Sequence, residues 1–461
     1  MIEMKKCVKS LMAMLILTAL LLSMTGCRIV LAEVEKEVVT LKEKGEMQSG
    51  VLGTGLGSAG AQEKEEQPLS GTLRLQVFTN ESGNHSEAWT NVVTAFEEVT
   101  GISVTLLMGS QVNTQYSAAW LAGEAPADIV WIAGNGIADE EMEASGMFYD
   151  LSGLLAEGYI YGTDAKIADR LNMDVIERVD GAIYRTPLMT STQGMWYNTA
   201  LIETPPENYD QFMGISAELS NQGIAGMTYP GMYADYNVWA LIMPAVAAYG
   251  EDFFRQVASG DPDAFLDSRF RSVLERYQSY CLEGGLLKGS TSADHTTSQL
   301  NWLNGKAGFI TNGLWLEAEM ADYIPKDFQM RFCASPLIES TQNPTLVIHG
   351  NNLAVSAKTQ NLENALAFIR FVYRDDVQLE FMSKYSYLSA LKNLSYEDAE
   401  LTDVARNTLD YVSSGEVTLV NCNVNWSSLL NNTFKQVIND LSTGAMTVEQ
   451  ACRLLSEDAK R

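Results

Sequence analysis

Gly71-Thr72-Leu73-Arg74-Leu75-Gln76-Val77-Phe78-Thr79 is the stretch from which the fold can be read. Leu73, Leu75 and Val77 alternate with polar residues, the two-residue period of a strand. Trp89, Val92, Val93 and Phe96 then recur at helical spacing, so a helix is expected over residues 86–99, stopped by Gly101. Residues 102–107 read as a second strand, 112–122 as a helix, 128–132 as a third strand and 137–145 as another helix. Alternation of this kind predicts right-handed βαβ units and a largely parallel sheet covered on both faces. Ligands on such sheets bind beyond the carboxyl ends of strands, which points to residues 79–85 and 131–136.

Upstream of this body, residues 45–68 turn to Gly, Ser, Ala, Glu and Gln, the composition of a linker. Treated as flexible coil, residues 28–68 span roughly 35 Å end to end. The run Gly55-Leu56-Gly57-Ser58-Ala59-Gly60 matches a dinucleotide fingerprint in letters only, since no strand precedes it and no helix follows. At the very start, Lys5, Lys6 and Lys9 precede an apolar run over residues 11–22, then Met24-Thr25-Gly26-Cys27. The apolar run is shorter than the about 20 residues of a membrane span. The pattern resembles bacterial lipoprotein signal peptides, which implies cleavage before Cys27 and a lipid on its thiol. An uncleaved anchor, or a secretory peptide with an incidental cysteine, are the other readings.

The chain of 461 residues leaves room for two or three structural units, and its 46% hydrophobic content supports a packed core. A net charge of −27 argues against nucleic acid as a partner and against a face that hugs anionic lipid. Beyond Cys7 and Cys27, the cysteines Cys281, Cys333, Cys422 and Cys452 show no metal-like spacing and read as small buried hydrophobes. His85, His295 and His349 each stand alone, so neither a zinc enzyme nor any other cofactor is expected. His349 reads as a hydrogen-bonded structural residue.

Farther along, short strands are expected at 182–186 and 194–198, and a helix at 209–222 after Pro205-Pro206. Residues 238–249 read as a core helix interrupted by Pro244, too short to span a membrane. Helices follow at 268–283 and 296–303, a strand at 308–311, strands at 345–349 and 353–356, and helices at 361–373, 375–384, 401–413, 429–441 and 447–456.

Six passages in order carry a resemblance: Phe96-Glu97-Glu98-Val99-Thr100-Gly101-Ile102-Ser103-Val104, Ala125-Pro126-Ala127-Asp128-Ile129-Val130-Trp131, Asp180-Gly181-Ala182-Ile183-Tyr184 with Pro187, Trp196-Tyr197-Asn198, the stretch 304–315 ending Asn312-Gly313-Leu314-Trp315, and the stretch 361–369. Together they resemble the maltodextrin-receptor-like group of extracellular solute-binding lipoproteins of carbohydrate ABC transporters. The resemblance implies an α/β, two-lobed periplasmic-binding-protein-like fold with discontinuous lobes and a hinged ligand cleft. By that pattern residues 1–26 are the signal peptide and 27–68 a lipid-anchored tether. Lobe one takes 69–187 plus 345–393, and lobe two takes 188–344 plus 394–461. The partners implied are a sugar, most simply an oligosaccharide, the transmembrane permease subunits, and the outer face of the cytoplasmic membrane through lipid on Cys27.

A pyranose has apolar faces and a hydroxyl equator, so its site needs flat aromatic platforms and several hydrogen-bonding side chains. By motif position the resemblance implies Trp131, Tyr236 and Trp315 as contacts, with Asn135 where the family often carries an acid. Trp239 shares the helix of Tyr236, and Trp426 precedes a late helix where the family supplies another platform. Asn80 and Glu81 end the first strand, Asp235 precedes Tyr236, and Asn351 and Asn352 follow a strand near the hinge. A rival class is a lipid-anchored extracellular glycoside hydrolase with paired carboxylates. The chain carries no nucleophile elbow, zinc-protease or phosphate-loop motif in its proper context, and it is read as a non-enzyme.

Overall fold

The alternation of Leu73, Leu75 and Val77 puts all three in the core, each 0% exposed, on β1 (Thr72–Phe78). The computed structural model describes residues 66, 69–79, 83–133, 137–397, 399–422 and 426–461. Cys27, the linker up to residue 65 and the candidates Asn80, Glu81 and Asn135 lie outside the described residues. From β1 the chain enters the helix Gly83–Thr100, whose Trp89, Val92 and Phe96 are fully buried. Gly101 ends it at φ +73°, with its amide donating to the Glu97 carbonyl at 2.8 Å. Next come β2 (Ser103–Gly109) and β3 (Ile129–Ile132), both parallel to β1.

The remaining strands are β4 (Thr186–Asn198), β5 (Ala225–Thr228), β6 (Ala307–Gly313), β7 (Met330–Cys333), β8 (Thr345–Val355), β9 (Leu388–Ser389) and β10 (Thr418–Asn421). They form one sheet in the order β2-β1-β3-β8-β4-β6-β5, with β10 on β8 and with β7 and β9 on β4. The expectation of a largely parallel sheet is corrected here. β4 runs antiparallel to β6, β7, β8 and β9, and β8 runs antiparallel to β3 as well, so the sheet is mixed. The two pairs of short strands expected around these positions are in fact single strands of 13 and 11 residues. Polar residues at their centres, Thr190 to Gln193 and His349 to Asn352, interrupt the hydrophobic pattern while the backbone ladder continues. Near the start of β4 the register slips between Pro187 and Met189, where proline has no amide to donate.

Two large hydrophobic cores flank these long strands. One gathers Trp89, Phe96, Trp131, Phe368 and Tyr385; the other gathers Phe212, Tyr277, Phe309, Phe434 and Leu455. Because successive side chains on a strand point to opposite faces, neighbours divide between them. Trp196 joins the first while Met195 and Tyr197 join the second, and Leu346 and Val347 part in the same way. Helices of the second core begin on side-chain caps: Asn208 accepts from the Gln211 amide, and Thr447 with Gln450 forms a reciprocal capping box. The segment read as a proline-broken helix is a π-turn, Val238–Ile242, leading into the helix Met243–Ala247, with Pro244 in the first turn where its missing amide costs little.

Glu66 is held by the residues that follow β1. Its carboxylate accepts from Arg370 Nη1 and from the Gly162 amide, both at 3.0 Å. Cys281, Cys333 and Cys452 are buried free thiols, and Cys422 is a half-buried one. No helix among the described residues is long and apolar enough to cross a membrane.

Candidate functional site

Asp235-Tyr236-Asn237-Val238-Trp239 leads from a short helix (Asp235–Asn237) into the π-turn, a local widening often found at functional positions. Asn237 is 0% exposed and pins this segment. Its amide nitrogen donates to the Tyr277 hydroxyl at 2.9 Å, and its carbonyl oxygen accepts from Thr311 at 2.7 Å. Tyr236 and Trp239, on either side of that anchor, therefore leave the backbone from a fixed position.

Trp239 is half-buried and stacks on Trp426, with centroids 5.4 Å apart and planes at 24°. The other face of Trp426 lies against Phe434 at 4.9 Å, and its indole N–H donates to the Val257 carbonyl at 2.8 Å, which fixes the ring. His349 meets Trp239 edge-on at 5.2 Å. It belongs to the half-buried stretch His349 to Asn352 in the middle of the otherwise buried β8. These side chains, with Asn352, Cys422 and Asn431, wall a cavity of about 320 Å³. That volume is in the range of small-molecule sites. Glu140, Glu177 and Arg185 line the same cavity.

The chemistry of the cavity is uneven. Burial pulls the His349 imidazole down to about 4, so at neutral pH it is uncharged. Its Nε2 has no hydrogen-bond partner among the described residues, and neither do Ser191 Oγ, Gln193 Oε1 or Asn312 Nδ2. Ser191 is the register partner of His349, Gln193 lies farther along β4, and Asn312 lies on the adjacent β6. Buried polar atoms are normally paired, so a run of unpaired ones marks where a polar ligand would be satisfied. The reading of His349 as a hydrogen-bonded structural residue does not hold for that nitrogen.

A second aromatic group centres on Trp315. It meets Tyr387 at 5.9 Å and Tyr236 at 6.2 Å, and Tyr236 in turn meets His295 at 4.9 Å. Gly313 is required here, because a Cβ at that position would lie 2.1 Å from the Trp315 ring. Asp235 is half-buried beside Tyr236, its carboxylate 3.9 Å from Lys435 Nζ. Trp131 is placed differently: 2% exposed in the first core, with Trp89 at 5.4 Å and Tyr385 at 5.6 Å. Asn351 is half-buried opposite Met189, and it is the neighbouring Asn352 that lines the cavity.

The structure thus joins Trp239 with Trp426, joins Tyr236 with Trp315 and Asp235, and leaves Trp131 and Asn351 apart from the cavity. Sequence reasoning missed Glu140, Glu177, Arg185 and Asn431, which come from separate segments and carry no spacing signal. The acidic run Asp139-Glu140-Glu141 was the one visible hint.

A family model described as bacterial extracellular solute-binding protein matches residues 82–379. Among solved structures, a chitin oligosaccharide binding protein superposes with a TM-score of 0.65 at 18% identity, covering 84% of this chain and 98% of its own. The binding protein RafE in complex with raffinose gives 0.63 at 18% identity, with 84% and 98% covered. The GacH receptor of Streptomyces glaucescens, solved unliganded and with acarbose, gives 0.63 at 16% identity, with 84% and 97% covered. At such identities the likeness establishes the fold, a mixed α/β architecture of the periplasmic-binding-protein type.

Proposed function

Because the chain belongs to the bacterial extracellular solute-binding protein family, we propose that it is the substrate-binding component of a carbohydrate importer, capturing a sugar and delivering it to permease subunits. The observation that carries this reading is the cavity of about 320 Å³ in which Trp239, backed by Trp426, meets a rim of polar side chains. An indole face suits the apolar face of a pyranose, while His349, Asn352 and Asn431 supply groups for its hydroxyls. A buried polar group left unpaired costs about 1–3 kcal/mol, so His349, whose buried Nε2 has no partner among the described residues, discriminates between hydroxyl configurations. The sugar ligands named for the three similar structures support the same class.

Tyr236 and Trp315 form a second platform in this reading, as an oligosaccharide requires. The lobes are taken as residues 69–187 with 345–393 and 188–344 with 394–461, with β4 and β8 as the crossing strands and closure by hinge motion. A lipid on Cys27 would hold the receptor beside its permease, the linker setting its effective concentration there.

Calorimetry and thermal shift of the full chain against a glycan panel test the proposal. Saturable binding of a saccharide without turnover is expected. Binding of none, together with hydrolysis of one, would replace it with the glycoside hydrolase reading.

A further inference from the structure

Part of the cavity lining is crowded with negative charge. Arg185 is the cation there, and it is shared among three carboxylates: Asp139 at 2.7 Å from Nη1, Glu177 at 2.8 Å from Nη2 and Glu143 at 3.0 Å from Nε. Glu140 also lines the cavity and makes no ion pair among the described residues. One guanidinium against four carboxylates leaves the rim about three charges negative, within a Debye length of roughly 8–10 Å. The crowding is felt by the groups themselves. Glu140 is held above the ordinary carboxylate range by partial burial and by its neighbours Asp139, Glu141 and Glu177, with Arg185 opposing. Glu143 is raised as well, by burial first and then by Glu177, Asp139 and Glu140, even though Arg185 pulls it down.

Such a rim is short of positive charge. A metal ion does not fit, since no group of three or more His, Cys, Asp or Glu side chains among the described residues is arranged to hold one. The Trp239 indole lines the same cavity and offers a flat apolar surface for a sugar ring. His349, neutral through burial, adds no opposing positive charge. We infer that the preferred ligand is a saccharide bearing free amino groups, with the ammonium at the Glu140–Glu177 rim and the sugar ring against Trp239. Neutral sugars lack the charge that relieves the rim, and uronic acids are repelled by it. This inference rests on the carbohydrate reading and narrows it.

The test is calorimetry on the full chain with four tetramers: β-1,4-linked glucosamine, its fully N-acetylated form, the glucose tetramer of the same linkage and a uronic-acid tetramer. The pH is set so that the amines are protonated and the carboxylates ionised. The glucosamine tetramer is expected to bind about tenfold tighter than the N-acetylated and glucose forms, roughly 1.4 kcal/mol. That ratio should shrink as salt is raised and fall toward unity in Glu140→Gln combined with Glu177→Gln; both residues are exposed, so folding is not at stake. Equal or weaker binding of the glucosamine tetramer, or a preference that survives both substitutions, overturns the inference while leaving the carbohydrate reading in place. Failure of every saccharide to bind removes both.

Discussion

Around Trp131, the rings of Trp89, Tyr385 and His85 close on one another until almost no surface is left; around Trp239, the rings of Trp426 and His349 stop short and leave a cavity. Both groups pair tryptophan with a histidine whose Nε2 lacks a partner among the described residues. What separates them is the backbone beneath. Trp131 on β3 pairs with the fully buried Leu353 of β8, whereas Trp239 meets the half-open stretch of β8, His349 to Asn352, through His349. An aromatic side chain becomes a platform when the strand opposite it supplies polar groups and leaves space, and a core residue when it does not.

The largest expected effect tests the closed group. Trp131→Ala should cost about 3–5 kcal/mol of folding stability, read by urea denaturation, because a fully buried indole leaves a cavity that neighbours cannot fill. Trp239→Ala should cost markedly less. Similar losses at the two sites would erase the distinction between them.

Acidity provides the next comparison. Burial lowers His85 to about 3 and His349 to about 4, against an ordinary value of 6.5. Each imidazole therefore favours folding fully above pH 6.5, and that contribution is lost as pH falls toward 3 for His85 and 4 for His349. The slope is roughly 1.4 kcal/mol per pH unit for each histidine, isolated by comparing wild type with His85→Gln and His349→Gln. In an NMR titration, bound sugar should shift His349 and leave His85 unmoved. A ligand that moves both alike would show that the closed group opens.

Affinity changes come third. Trp239→Ala and Trp315→Ala should each weaken sugar binding at least about tenfold, near 1.4 kcal/mol, by calorimetry. An unchanged affinity in either variant would remove that ring from the site. The smallest effect concerns thiols. Burial raises both Cys422 and Cys333, so alkylation is slow at each, but Cys422 lines the cavity and should label faster, with ligand slowing it. Equal rates with and without sugar would place the ligand elsewhere.

Much of the fold was legible because periodicity is local. The helix carrying Trp89, Val92 and Phe96 and the alternation along β1 need no information from distant residues. Continuity of β4 and β8 was hidden by the polar residues that give the interior its chemistry, so the expected strands broke at Thr190 to Gln193 and at His349 to Asn352. Trp239 and Trp426 were recognisable as candidates, but they lie far apart in the chain, and their stacking is a product of the second core. Glu140, Glu177 and Arg185 were invisible as a set, since only the path between β3 and β4 brings them to one rim.

That path has a consequence for heredity. Every charged member of the rim, from Asp139 to Arg185, lies between β3 and β4, whereas the indole wall comes from residues 239 and 426. A single stretch of the gene can therefore be exchanged or drift under selection without repacking the indoles. Descendants of one ancestor can diverge in appetite while inheriting the same grip.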